Sequence, residues 1–445
     1  MSQCKLLIEE MQFDALWLNA MIRIYNGKIL KFIDNGIELT PDELWIKNQK
    51  IVYIGPAQNE SPDFEKTINL EGNILMPGFS NAHTHSLMIL FRSMFNRKPL
   101  FEWLKCVSPL EKMITQEDAY VIAKFAIMNY LMNGVTSTFD MCPMRYVETC
   151  INANIDSGFR TSVCCAISLN SRKRLDSVES LYCRYNNFNP LIRYLLGFHS
   201  IYNTDEDILK RIAELGRKYR APVFMHNSET ADEIRYSNEK YGMSPTRFFD
   251  NLGLFEFGGG SFHCTHLSSE DMDIFFRKKL YSVMNITSNL WLESGVPPID
   301  QLFRKNIRLA FGTDGAGSNN GIDMFCEMRL FALLQKIGEE KKAPSYTEIL
   351  KNATLNGARL MGFRNCGSIV VGGDADLIVI DVSKANMLPM TNFADNIVMS
   401  CNSGNVVTTI VGGKILYDHG RYFIGDNSSE IQSRMEQIKN RILGA

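Results

Sequence analysis

Apolar and polar positions change rhythm twice along the chain. Over residues 13–73, short apolar pieces at 15–18, 43–46 and 51–55 alternate with polar breaks. This is a pattern of short strands, with turns at Asn26-Gly27 and Asn35-Gly36. The same rhythm returns over residues 376–381 and 406–417. The two terminal parts are expected to form one small composite β-sandwich, residues 1–73 from one end and 366–445 from the other, the latter with a terminal helix. Residues 1–12 are assigned no role, and no short-period repeat is present.

Residues 74–365 read differently, with strand-like apolar runs alternating with helical periodicity. An apolar run at 74–76 opens the series, and helical spacing over 116–132 precedes a strand at 134–140. Further strands are expected at 160–166, 194–199, 222–226, 261–264, 281–285 and 309–314. Helices fall between them, among them 205–219, one beginning near Glu229 and one opening at Ser268. About eight such units is the number a (β/α)8 barrel needs. A chain of 445 residues has room for that barrel, which takes about 250 residues or more, and for a smaller domain.

In such a barrel the reactive groups come from the C-terminal ends of the strands, and this chain concentrates its histidines there. His83 and His85 follow the first strand in Met76-Pro77-Gly78-Phe79-Ser80-Asn81-Ala82-His83-Thr84-His85. Two residues apart on extended backbone, their imidazoles project to the same side. His199 ends the fourth strand, His226 the fifth and His263 the sixth, with His266 just beyond; Asp314 ends the eighth. One histidine in such a place is more often structural than a ligand, but the shared phase of so many makes coincidence improbable.

His83, His85, His226 and Asp314 make a ligand set that leaves a coordination position open, as catalytic zinc sites do. Zinc is the expected ion, with iron(II) and manganese also suited to three imidazoles and a carboxylate. Such an ion lowers the pKa of water from about 15.7 towards about 7. Glu229, three residues after His226, either faces the pocket as a proton carrier or stabilises a helix N-terminus by about 0.3 to 1 kcal/mol. His263 would orient the attacking group or else pack, and Asp314 would both hold the ion and accept the water's proton.

Composition narrows the partners. Lys plus Arg at 47 against Asp plus Glu at 49 leaves a net charge of −2 with no long basic block, which argues against a nucleic-acid surface. No run of about 18 apolar residues is present to span a membrane. The 11 cysteines are scattered and form no Cys-x-x-Cys pair, and Glu9 and Glu10 interrupt any signal-like opening. Reduced thiols in a cytoplasmic protein are expected, in a homo-oligomer (dimer or tetramer) acting on a small molecule.

The motifs together resemble the amidohydrolase superfamily. Residues 76–85 are similar to its Pro-Gly-(hydrophobic)-x-Asn-x-His-x-His opening. Residues 312–320 and 323–329 resemble the 5-methylthioadenosine/S-adenosylhomocysteine deaminases, relatives of triazine chlorohydrolases and cytosine or guanine deaminases. Residues 134–141, His226-x-x-Glu229-Thr230, 367–369 and 372–377 match as well, so the resemblance covers about residues 13–423. It implies a metal-dependent hydrolase barrel with a flanking sandwich and one divalent metal on His83, His85, His226 and Asp314. By matching positions it makes Glu229 and Asp314 proton carriers and His263 the orienting group. Further substrate contacts fall on Glu111, in Pro109-Leu110-Glu111, and on His199. No lysine ends the fourth strand, which argues against the binuclear branch.

The resemblance departs on the substrate side. Cys165 stands where those deaminases usually carry an Arg late in the third strand, and the usual His-(Ser/Ala)-Pro-Tyr reads His199-Ser200-Ile201-Tyr202. Hydrolytic deamination of an adenosine derivative is expected, with weak use of S-adenosylhomocysteine unless Arg92 or Arg160 replaces the absent guanidinium. The alternatives are displacement of chloride from a triazine, other amidohydrolase chemistry on a pterin or guanine-type ring, and a non-catalytic metal-binding scaffold.

Overall fold

The computed structural model describes residues 21–34, 36–59, 62–337 and 344–444; the expected strand at residues 15–18 and Asn35 lie outside them. The N-terminal strands divide between two sheets. Ile22–Tyr25 sits between Glu43–Lys47, antiparallel, and Lys66–Asn69, parallel, with Lys50–Gly55 at the edge. Lys28–Ile33 belongs to a seven-stranded sheet, between Gly36–Thr40 and Ile74–Pro77. Asn26-Gly27 therefore carries the chain from one sheet to the other and closes no hairpin. The crossing lets both sheets bury a face in common: Ile24, Ile29, Leu44 and Leu75 meet Leu377, Val379 and Ile410 in one buried cluster.

The late strands complete the seven-stranded sheet. Leu377–Ile380 runs antiparallel to Ile74–Pro77, with Leu75 opposite Val379, followed by Val406–Val411, Lys414–Asp418 and Arg421–Tyr422. Strands from both ends of the chain thus share hydrogen bonds. A single residue, Gly78, then separates Ile74–Pro77 from Phe79–Thr84, the first strand of the parallel series. A Cβ at Gly78 would stand 2.1 Å from the Thr136 methyl, so only glycine lets the chain pass this close to the next strand.

Phe79–Thr84, Val135–Cys142, Arg160–Cys165 and Ile192–Tyr194 form one parallel sheet, and Leu196–Gly197, Val223–Asn227, Gly259–His263, Tyr281–Met284 and Arg308–Phe311 a second. The expected fourth strand is broken at Leu195, so its two pieces pair in different sheets. Backbone bonds stitch the sheets together on both sides: Leu195 N–H to Val163 carbonyl at 2.9 Å, and Asp314 N–H to His83 carbonyl at 3.0 Å. One buried cluster draws a side chain from every strand position, Ala82, Phe139, Cys164, Leu195, Phe224, Phe262, Val283 and Ala310. Alternate residues face outward onto the helices. Glu206–Tyr219, for example, opens at Asp205, whose side chain accepts the Ile208 N–H, and buries Ile208, Ile212 and Leu215. Among the described residues no helix is long and apolar enough to cross a membrane, and the described cysteines are free.

Arg160 lies at the start of its strand, away from the strand ends. Its Nε and Nη2 grip the two oxygens of Asp376 at 2.5 and 3.0 Å, and its Nη1 donates to the Pro190 carbonyl at 2.8 Å. Asp376 also accepts the Gly412 N–H at 2.7 Å, and both ionic groups are almost fully buried. Deleting one partner of such a pair strands the other charge, a cost of about 3 to 5 kcal/mol. Arg160→Met is expected to lose about that much in denaturant-unfolding stability; an unfolding midpoint like the wild type's would contradict this account.

Candidate active site

The residues that follow the parallel strands converge at one end of the two sheets. Thr84 turns away, with its hydroxyl 2.9 Å from Tyr130 Oη and donating to the Asp314 carbonyl at 3.1 Å, which leaves its neighbours His83 and His85 on the other side. His83 is fully buried and stacked on Phe262 with ring centroids 3.8 Å apart; neither of its nitrogens has a hydrogen-bond partner. Burial pushes its pKa down to about 3, so the ring is neutral.

His85 Nδ1 donates to the Met141 carbonyl at 2.7 Å and His226 Nδ1 to the His199 carbonyl at 2.8 Å. A carbonyl can only accept, so both rings carry a proton on Nδ1 and turn Nε2 into the pocket. Those two Nε2 atoms face each other at 3.2 Å. Asp314 Oδ1 lies 3.4 Å from His83 Nε2 and 3.6 Å from His85 Nε2. Two imidazole nitrogens at this distance need a proton or a metal cation between them. Two nitrogens each about 2.0 to 2.1 Å from one ion at a tetrahedral angle would stand about 3.3 Å apart. The donor set therefore fits a divalent metal on His83, His85, His226 and Asp314.

Asp314 is held for this task. Its backbone is left-handed, φ 58°, and its Oδ2 accepts from Ser288 Oγ at 2.6 Å and Ser318 Oγ at 2.8 Å, leaving Oδ1 towards the imidazoles. Burial pushes its carboxyl up, but the neighbouring His83 and His85 outweigh that and keep it well below the usual range. A Cβ at Gly312 would stand 2.6 Å from His83 N, so glycine is what allows the last strand to close on the first.

His263 is also left-handed, φ 71°; its Nδ1 donates to Asn289 Oδ1 at 2.7 Å and its N–H to Asn285 Oδ1 at 3.2 Å. Its Nε2 lies 3.9 Å from Glu229 Oε2. Glu229 precedes Thr230, the N-cap of helix Ala231–Tyr241, so it does not serve as a helix-end anion; the acids of the first turn are Asp232 and Glu233. Burial first, and then the charge of Asp314, push the Glu229 carboxyl up to about 8, opposed by a 3.4 Å bond from Ser294 Oγ. Near neutral pH it holds a proton while Asp314 does not.

A cavity of about 440 Å³ joins these groups. His85, His199, His226, Glu229, His263 and Asp314 line it, with Met88, Trp103, Tyr202 and Leu292, and so do Glu111, Lys112, Arg145, Lys173 and Arg174. The two expected substrate residues, Glu111 and His199, thus reach the same space. Burial raises the Glu111 carboxyl, with Arg145 pulling the other way. His266 does not line it, being bonded to the Ser294 carbonyl at 2.8 Å. A second cavity, bordered by Ile22, Gln49, Leu191 and Gly413, has Lys414 as its one titratable residue and assembles no such constellation.

Cys165 is not part of the pocket wall. Its sulfur lies 2.9 Å from the Tyr194 hydroxyl, in the layer between strands and helices, because Cys164 takes the interior position. Arg92 is bonded to Asn129 at 3.0 Å and Arg160 to Asp376, so neither replaces an absent guanidinium. Arg145, Lys173 and Arg174 have no signal in the strand pattern, because they sit on the short 3-10 helices Met144–Tyr146 and Leu169–Arg174 beyond the strands. Asn285, Ser288 and Asn289 follow Tyr281–Met284 directly, and the strand-end rule that picked out the histidines points to them too.

Residues 74–416 match the family model of the amidohydrolase family. The chain is 34% identical over 423 residues to the 5-methylthioadenosine/S-adenosylhomocysteine deaminase of Caldicellulosiruptor saccharolyticus, covering 92% of this chain and 96% of that one. It is 35% identical over 386 residues to the 5'-deoxyadenosine deaminase of Methanobrevibacter smithii, covering 84% and 88%. The crystal structure of an adenosine deaminase from Xanthomonas campestris with bound zinc superposes with a TM-score of 0.86 at 26% identity, over 96% of this chain and 99% of that one. With its pocket at the ends of parallel strands and its motifs matched from end to end, the chain belongs to the amidohydrolase family.

Proposed function

We propose that this protein is a hydrolytic deaminase of an adenosine derivative, with one divalent ion, zinc, held by His83, His85, His226 and Asp314. The observation that carries this reading is the pair of imidazole Nε2 atoms facing each other at 3.2 Å beside a buried Glu229 in one cavity. The two parallel sheets are read as halves of one (β/α)8 barrel over residues 74–365, flanked by a composite sandwich from residues 1–73 and 366–445. The names of the curated relatives support the substrate class.

A divalent ion at the imidazole cluster supplies Lewis acidity, bringing the pKa of a water there towards neutrality. Asp314, whose Oδ1 would hold the ion and whose Oδ2 accepts from the two serines, takes a proton from the attacking water on its carboxylate. Glu229 gives its proton to a ring nitrogen, so the carbon bearing the amine accepts the water oxygen. His263, its tautomer fixed by Asn289, presents Nε2 to orient the attacking oxygen. Asp314 then passes the water's proton to the amine, the new hydroxyl gives its proton back to Glu229 as the C=O bond forms, and the C–N bond breaks to release ammonia.

Glu111 and His199 contact the substrate away from the ring amine. Arg145, Lys173 and Arg174 make part of the pocket wall cationic, which suits a 5' substituent ending in a carboxylate. Good use of S-adenosylhomocysteine therefore replaces the weak use expected from Cys165.

Purified protein is expected to carry one zinc per chain by atomic absorption and to release ammonia from 5-methylthioadenosine; a chain that binds no divalent ion would end this reading. Glu229→Gln should keep the ion and lose roughly 10² to 10⁴-fold in kcat. Wild-type turnover in that zinc-loaded variant would remove Glu229 from the mechanism. Arg145→Ala and Arg174→Ala should each lower the ratio of kcat/KM for S-adenosylhomocysteine over 5-methylthioadenosine by about 10 to 100-fold. An unchanged ratio in both variants would show that these side chains do not meet the substrate's charged end.

A further inference from the structure

Glu233 is a fully buried acid that the chemistry above does not use. It is the third residue of helix Ala231–Tyr241, and its N–H donates to the N-cap Thr230 Oγ1 at 3.1 Å. In a capping box the side chain at this position returns to the N–H of the N-cap residue itself. The helices opening at Thr115, Ser268 and Ser345 close their boxes that way, through Asp118, Asp271 and Glu348. Glu233 reaches past Thr230 instead. Its Oε2 accepts the Glu229 N–H at 2.7 Å.

This diversion is costly for a helix cap alone. Glu233 Oε1 is buried without a partner, and burial pushes the carboxyl up to about 7. Ser228, the residue before Glu229, holds a left-handed φ of 54°, a conformation that non-glycine residues rarely adopt. The Glu229 side chain has little to aim it directly, since its contacts are Ser294 Oγ at 3.4 Å and His263 Nε2 at 3.9 Å. Its direction is set by the backbone beneath it.

We infer that Glu233 is a positioning residue, whose carboxyl clamps the Ser228–Glu229 backbone in the left-handed turn that aims Glu229 into the pocket. The kinetic part of this inference rests on the proposed role of Glu229; the backbone part does not. The clamp needs an acceptor oxygen of the right reach and no negative charge. Glutamine retains that oxygen, aspartate is one methylene short, and alanine has none.

The test uses the zinc-loaded full chain with 5-methylthioadenosine. Glu233→Ala and Glu233→Asp should lose about 10 to 100-fold in kcat, as small misplacements of catalytic groups do. KM and zinc per chain should hold, and Glu233→Gln should recover most of the rate. Ser268→Ala, which removes a helix cap elsewhere, should keep wild-type kcat. Hydrogen exchange at residues 227–230 should quicken in Glu233→Ala and Glu233→Asp but not in Glu233→Gln, and that readout needs no substrate. If alanine does not fold, the aspartate and glutamine pair carries the comparison. Wild-type kcat in Glu233→Asp, a glutamine variant as slow as aspartate, a rate loss that tracks lost zinc, or unchanged exchange would each overturn the inference. Failure of the wild type to release ammonia, with the exchange pattern as expected, would reject the deaminase reading and leave the backbone clamp standing.

Discussion

Two imidazoles held Nε2 to Nε2 at 3.2 Å are the constraint on which the rest of this molecule depends. Side chains free to turn would not stay so close, so the surrounding backbone has to impose the arrangement. The acceptors that fix both tautomers are main-chain carbonyls, Met141 of the second strand and His199 just beyond the fourth. Each histidine is therefore oriented by a strand other than its own. A side-chain acceptor can rotate away, whereas a carbonyl at a strand end moves only if the sheet does.

The same economy separates the two carboxylic acids. Glu229 and Asp314 lie in one pocket with opposite protonation, and the difference comes from their neighbours. Asp314 is surrounded by imidazoles and two serine hydroxyls, all of which favour the anion. Glu229 has one long hydrogen bond and a negative neighbour, which favour the acid. The two environments thus shift neighbouring carboxyls in opposite directions.

Much of this was legible in the residues, for identifiable reasons. The strand-end histidines stood out because the parallel pattern assigns every strand a chemical end, and helix Gln116–Met132 matched its periodicity to the residue. Glu229 was ambiguous because three residues after a strand can be the end of a loop or the start of a helix, and Thr230, the better capping residue, decides it. Asn26-Gly27 has the composition of a hairpin turn, and only the shared core of two sheets shows that it is a crossing. Cys165 was misjudged by one step of the strand alternation, since Cys164 already occupies the interior. The left-handed backbone at Ser228, His263 and Asp314 had no signal, because none of these residues is a glycine.

The single-residue link at Gly78 has a consequence for how the molecule comes into being. Residues 74–85 run on almost without a break: the first strand is bonded into the seven-stranded sheet, and the second carries His83 and leads straight into His85. The first strand is gripped by Leu377–Ile380, about 300 residues later in the chain, a pairing of very high sequence separation. During synthesis the histidines emerge early, yet their seat is finished only when nearly the whole chain is available. A nascent chain therefore exposes these imidazoles long before the pocket around them is closed, and their mutual spacing belongs to the completed topology.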